Sequence, residues 1–328
     1  MNMPVAQEHL IYTKEEILRM YRMMLLIRTF EERTPEQYAK GRIGGFLHLY
    51  SGQEAVGVGF ISALRQDDYV IGAYREHGQC IAKGTDPKFV MAELFGKATG
   101  ISKGKGGSMH MFDVEKGFLG GHGIVGGGMP LSVGVGLGIK YRKTDQVCIC
   151  FFGDGAVNEG AFHETLNMAA LWDLPVIYVL ENNMYGMGTA VYRVSSIPDL
   201  IRRASSYDIV REQVDGMDLL AVREVAEHSV RKAREDKKPR FIEAITYRYR
   251  GHSISDPGQY RSKEEIEEWR KRDPIICMEL YLTENGLATD DNIKSIHDEA
   301  SRKIQEAIDF AEESPFPALD ELYTDIYA

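Results

Sequence analysis

Two apolar runs set the frame of this chain. Val147 to Phe152 and Val176 to Leu180 are rich in β-branched and aromatic residues; the first stops at Gly153, the second at Glu181-Asn182-Asn183. Short apolar runs bounded by turn residues predict buried strands. Between them lies a helix-length segment, about Gly160 to Trp172, closed by Asp173-Leu174-Pro175. Strand, helix, strand predicts a βαβ unit whose two strands run parallel and finish on the same sheet edge. Asp154 and Asn183 each fall just past a strand end and are 29 residues apart, about one such repeat.

Two oxygen donors are thereby expected to converge in the crevice where open α/β sheets bind ligands. A carboxylate, an amide carbonyl and backbone oxygens suit a hard divalent ion such as Mg2+, with waters and phosphate oxygens completing the octahedron. Gly153 and Gly155 let the backbone approach a phosphate closely, and the following helix N-terminus adds positive dipole. A lone Gly-Asp-Gly is more often an ordinary turn. The Asn182-Asn183 pair one repeat later, also after an apolar strand, shifts the balance to a ligand site. It is not the dinucleotide fingerprint, because position 158 is Asn where a third glycine is required.

The remaining pattern fills in around this unit. Thr13-Lys-Glu-Glu16 predicts a capped helix start, with Ile17, Met20, Tyr21, Met24 and Leu25 at helical spacing behind it. A small-residue helix is expected over Gln53–Leu64 and a short strand over Tyr69–Gly72, after the Asp67-Asp68 turn. Tyr74 and Arg75 follow that strand; Tyr74 could pack on a ring, and Arg75 is either a bidentate diphosphate contact or a surface ion pair. Gly100 to Gly107 reads as a phosphate-binding loop without Walker spacing, or as a solvated mobile loop. Gly134, Gly136 and Gly138 in a predicted helix cost about 1 kcal/mol each relative to Ala. Such a cost implies close backbone approach, within the fold or across a subunit boundary. A strand over Val210–Val214, a helix over Leu219–Arg234 and a last buried strand over Pro239–Tyr247 lead into a polar loop, Arg248 to Arg261. That loop carries His252 and has little apolar area to fix it without a ligand. Helical patterns resume near Arg261 and after Asp273-Pro274.

Composition narrows the classes. The 328 residues hold one large α/β domain or two small ones. A formal charge of −10 argues against nucleic-acid binding. The four cysteines form no CxxC pair, and Cys148 and Cys150 share one strand face as core residues. That usage suits a reducing cytosol, so a cytoplasmic location is expected. Met1 to Leu10 shows no secretory signal, and the uncharged stretch Gly123–Ile139 is too glycine-rich and short for a confident membrane span.

Several blocks together carry a family resemblance. Gly153-Asp154-Gly155 with Asn182-Asn183 resembles the thiamine diphosphate motif. Asn167-Met-Ala-Ala-Leu-Trp172, Glu181-Asn-Asn-Met-Tyr-Gly-Met-Gly188, Val214-Asp-Gly-Met-Asp218 and Tyr247-Arg-Tyr-Arg-Gly-His-Ser-Ile-Ser-Asp-Pro257 are similar to E1 α subunits of the pyruvate dehydrogenase type. The similarity runs from about residue 15 to about residue 275. It implies an α/β fold, a doubly wound parallel sheet of the thiamine diphosphate-binding type. A helical N-terminal arm (1–40) would precede the cofactor-binding domain (41–275), and a helical C-terminal extension (276–328) would follow it.

The same resemblance implies oxidative decarboxylation of a 2-oxo acid, pyruvate first, with acyl transfer to lipoyl-lysine on an E2 acyltransferase. It assigns Mg2+ to Asp154, Asn183 and the Tyr185 carbonyl. Gly155 and Ala156 would line the diphosphate, Tyr74 and Arg75 would bracket the cofactor, and Gly123 and Val125 would touch the aminopyrimidine through their main chain. His48 and His252 would be the polar groups nearest the reacting carbon, although a lone histidine is more often structural. The family places the carboxylate that activates the cofactor on a separate E1 β chain, which implies an α2β2 assembly with interfacial active sites. Ile254-Ser255-Asp256 resembles the pyruvate form, whereas Gly126-Gly-Gly-Met129 departs from the commoner Gly-Ala-Gln-Val. Acetoin and branched-chain 2-oxo acid dehydrogenases are therefore alternatives within the class. A Rossmann-type oxidoreductase and a non-catalytic assembly subunit are the alternatives outside it.

Overall fold

A computed structural model describes residues 12–326; the signal-free reading of Met1–Leu10 lies outside the described residues. Thr13 caps α1 (Lys14–Ala39) through a reciprocal capping box with Glu16. After it come α2 (Glu54–Ser62), β1 (Tyr69–Ile71) and two short helices that the pattern did not mark, α3 (His77–Ala82) and α4 (Pro87–Leu94). The predicted βαβ unit is β2 (Cys148–Gly153), α6 (Gly160–Leu171) and β3 (Val176–Asn182), preceded by α5 (Gly128–Arg142). A small hairpin, β4 (Tyr185–Gly186) and β5 (Thr189–Ala190), runs into α7 (Val191–Val194) and a tighter helical stretch over Leu200–Tyr207. Then follow β6 (Val210–Asp215), α8 (Leu219–Asp236) and β7 (Arg240–Ile245). The chain continues through α9 (Lys263–Arg270), α10 (Pro274–Glu284) and α11 (Asp290–Glu313).

The main sheet is parallel throughout, in the order β1-β2-β3-β7-β6. Its two faces feed two cores. Ile149 and Phe151 of β2 pack with Phe30 of α1, Phe60 of α2 and Val222 of α8. Cys148, Cys150 and Phe152 pack on the other side with Met129 of α5 and Phe162 of α6. Burial on both faces is why β2 and β3 read as unbroken apolar runs. Ile304 and Ile308 of α11 join the same core as α1, and the 275/276 boundary drawn from sequence falls inside α10. Among the described residues no helix is long and apolar enough to cross a membrane.

The glycine-rich stretches resolve into different devices. In α5, a Cβ at Gly136 would lie 2.7 Å from Val176 Cγ2, whereas at Gly134 and Gly138 it would meet nothing. Close approach within the fold is therefore confined to Gly136. The Gly100–Gly107 loop is neither an open phosphate cradle nor a free solvated loop. The backbone N–H groups of Ser102, Gly104, Gly106 and Gly107 all donate to the buried Glu93 carboxylate, at 2.7–3.1 Å. The loop's anion is supplied by α4.

Gly52 has φ +100°, and a Cβ there would stand 2.3 Å from the Tyr247 carbonyl oxygen. Its turn delivers the segment Leu47–Ser51 against the strand exit: Ile254 N–H donates to Leu47 O and Tyr249 N–H to Ser51 O. Gly52→Ala combines left-handed strain with a backbone clash and should destabilise the fold by about 3 kcal/mol or more. Urea unfolding measures this; an unchanged midpoint would contradict the clash.

Candidate active site

β2 and β3 stay in register to their ends, with Gly153 opposite Glu181, so Asp154 and Asn183 leave neighbouring strands on one edge. Asp154 opens a tight helical turn, Asp154–Asn158, and α6 begins only at Gly160, so a turn separates the carboxylate from the helix N-terminus. Burial pushes the Asp154 carboxyl up to about 6, against the pull of its own backbone amide and of Arg248. Asn183 Nδ2 donates to Gln53 Oε1 at 3.0 Å, which leaves Asn183 Oδ1 as a buried acceptor with no partner. Beside them, a Cβ on Gly155 would lie 3.6 Å from Gly186 Cα, so side chains there would fill the gap between the two backbones. The cleft above them, about 480 Å³, is lined by Tyr74, Val125, Asp154, Gly155, Gly186 and Met187. One carboxylate and one unpartnered amide oxygen are a donor set that could hold a hard divalent cation.

His48, Tyr74 and His252 form a second cluster. The His48 ring lies 4.9 Å from Tyr74 and 5.0 Å from His252, and Tyr74 lies 5.5 Å from His252. The Nδ1 atoms of both histidines are buried without partners. Burial first, and then the positive charge of Arg75, push His48 down to about 3 and His252 down to about 4. Both folded values lie below the ordinary 6.5, so their contribution to stability is full above pH 6.5 and is lost as pH falls through about 4 for His252 and about 3 for His48. Neutral imidazoles from about pH 5 upward are the expected result of a titration followed by NMR on 15N-histidine-labelled protein. An apparent pKa above about 6 for either ring would contradict the burial argument.

Two buried arginines complete the electrostatics. Arg75 is not a surface ion pair: it donates to Leu49 O at 2.7 Å and to His252 O at 2.8 Å. Arg248 is fully buried and donates to the carbonyls of Arg250, Tyr185 and Met187 and to the Tyr260 hydroxyl. Carbonyls and a phenol satisfy the N–H groups but do not neutralise the charge. Burial, then the Arg248 charge, lowers Arg75 to about 10. A buried positive field of this kind seeks an anion.

The Arg248–Arg261 loop, which its sequence shows to be poor in apolar residues, has two apolar anchors, Tyr249 against Met217 and Tyr247, and Ile254 against the main core; polar ties hold the rest. Arg261 donates to the carbonyls of Arg248 and Arg250. Asp256 accepts from the backbone N–H groups of His252 and Gly258 and from the Tyr260 hydroxyl.

The structure therefore brings Tyr74, Val125, Asp154 and Gly155 to one cleft, with Asn183, His48 and His252 near them. Gly123 sits beside the His110 ring, in the loop that carries Val125 and leads into α5. The Ala156 side chain packs in the core rather than lining the cleft, so only its backbone is available to a ligand. The Tyr185 carbonyl, 3.3 Å from Arg248 Nη1, already accepts a hydrogen bond. Sequence reasoning passed over Arg248 and Gln53. The first shows as a charged residue at the exit of an apolar strand; the second carries no signal of its own.

A dehydrogenase E1 component family model matches residues 21–320. The chain belongs to this family. Similar proteins include the pyruvate dehydrogenase E1 component subunit alpha of Rhizobium meliloti, 51% identical over 96% of this chain and 91% of that protein. The proteins of that name from Rickettsia felis (47% identical; 96% and 97% covered) and Porphyra purpurea (44%; 96% and 94%) are also similar. The E1 family is thiamine diphosphate-dependent, and the buried guanidinium groups give this member an anion-seeking site at its strand ends.

Proposed function

We propose that this chain is the α subunit of a pyruvate dehydrogenase E1. In this reading it binds thiamine diphosphate through Mg2+, acts with an E1 β chain in an α2β2 assembly and passes an acetyl group to lipoyl-lysine of an E2 acyltransferase. The observation that carries the cofactor reading is the pairing of buried, un-neutralised Arg75 and Arg248 with Asp154 and the unpartnered Asn183 Oδ1. Guanidinium groups with no carboxylate in direct contact, beside a carboxylate and an amide carbonyl with no bonded cation, are complementary to a metal–diphosphate unit. The full-length similarity to proteins named for pyruvate supports the substrate.

When bound, thiamine diphosphate supplies an electron sink for loss of CO2. The chain's own residues then have defined tasks. Asp154, Asn183 Oδ1 and the Tyr185 carbonyl would hold the metal, the carbonyl through the lone pair that Arg248 leaves free. The backbones of Gly155 and Ala156 run along the diphosphate, Arg75 and Arg248 balance its charge, and Tyr74 packs on the cofactor. Gly123 and Val125 present main-chain groups to the aminopyrimidine. His48 and His252, neutral at working pH, are the imidazoles assigned to position the substrate or move a proton at its reacting carbonyl.

Assay of the chain reconstituted with its β partner on pyruvate, branched 2-oxo acids and acetoin tests the substrate. Preference for pyruvate in kcat/KM is expected. Preference for acetoin or a branched acid would overturn that assignment while leaving the cofactor site standing.

A further inference from the structure

A buried chain of hydrogen bonds runs from α1 to the backbone of His48, through residues that the cofactor site does not use. Glu31 Oε1 lies 3.1 Å from His77 Nδ1, and His77 Nε2 lies 2.9 Å from Ser108 Oγ. The His48 backbone N–H donates to the same Ser108 Oγ at 3.1 Å. Glu31 and His77 are fully buried and Ser108 is 5% exposed.

The directions of these bonds follow from the donors available. A carboxylate only accepts, so the Nδ1 hydrogen of His77 points at Glu31. With a single ring proton on Nδ1, Nε2 is an acceptor and the Ser108 hydroxyl donates to it. The two lone pairs of Ser108 Oγ remain, and one takes the His48 N–H.

Carboxylate, imidazole and hydroxyl in this order are also the arrangement of a nucleophilic serine. That reading fails here. Ser108 does not line the cleft, its oxygen already accepts the His48 amide, and its surroundings are closed to solvent. We propose instead that Glu31, His77 and Ser108 are positioning residues that fix His48 for the reaction. Imidazole placement depends on the backbone from which it hangs: Ile254, Arg75 and Tyr249 tie the carbonyls of Leu47, Leu49 and Ser51, and Ser108 takes the amide of His48 itself. Ser108 is held from behind as well, because Glu93 gathers the loop up to Gly107. The chain thus couples α1, α3 and the glycine loop to one substrate-facing ring. This rests on His48 being part of the active site.

Two experiments on the assembled enzyme test it. In a double-mutant cycle, Ser108→Ala should lower kcat by about tenfold or more, with thiamine diphosphate affinity nearly unchanged. In a His48→Ala background the same change should alter kcat by less than about twofold. Ser108→Thr, which keeps the hydroxyl, should recover most of the loss, and Glu31→Gln should lower kcat without moving cofactor affinity. Equal losses in both backgrounds, or no loss at all, would overturn the proposal. A His48→Ala enzyme of full activity would instead remove the assigned role of His48. The second experiment needs no variant and no turnover: 15N-histidine spectra of the wild-type protein should show His77 as the Nδ1–H tautomer. An Nε2–H tautomer would break the chain as described, whatever the substrate.

Discussion

Asp154→Ala should abolish Mg2+-dependent thiamine diphosphate binding, with an affinity loss of more than about 100-fold. Asp154 is the only carboxylate among the assigned ligands, and an amide oxygen with one backbone carbonyl cannot neutralise a divalent ion. The side chain is buried just past the end of β2, beside the unpartnered Asn183 Oδ1. Folding should suffer little: burial already disfavours the ionised form in the free protein, as the upward push to about 6 shows. Removing that carboxyl therefore relieves a desolvation cost. Calorimetric titration of the variant, assembled with its β partner, checks both halves. Tight cofactor binding by Asp154→Ala would remove the metal assignment.

The isolated chain should show no decarboxylase activity, and activity should appear on addition of an E1 β chain. The reason follows from the proposed two-chain assembly, in which the carboxylate that activates the aminopyrimidine sits on the partner. Within this chain the carboxylate placed to compete is Glu159, which lines the cleft and packs against Gly126. Measurable turnover by purified α chain would overturn the two-chain reading, and loss of that turnover in Glu159→Gln would identify the substitute.

The layout of the site was legible where it follows from periodicity. The apolar runs ending at Gly153 and Glu181 place Asp154 and Asn183 on one sheet edge, and β2 and β3 pair as a βαβ unit requires. The alternation that buries Cys148 and Cys150 together follows from the same pleat. What escaped the reading depends on contacts between distant segments. Nothing near Gly100–Gly107 reveals that Glu93 already fills its ring of amides. Nothing near Asn183 reveals that Gln53, 130 residues away, takes its amide nitrogen and frees its oxygen.

The loop from Arg248 to Arg261 shows the limit most clearly. Hydrophobic patterning reports apolar anchors and is silent about side chains that bond to backbone. Arg248, Asp256 and Arg261 stitch this loop in that way, and their bonds connect residues two to sixty-three positions apart. Short helices such as α3 escaped for a related reason: six residues are too few for a 3.6-residue period to register.

Thiamine diphosphate titrated calorimetrically into the assembled wild-type enzyme, with and without Mg2+, tests the strand-end site most directly. One saturable site per α chain that requires the metal is the expected result. Binding of equal strength after exhaustive chelation, or no binding at all, would contradict a metal–diphosphate site built on Asp154 and Asn183.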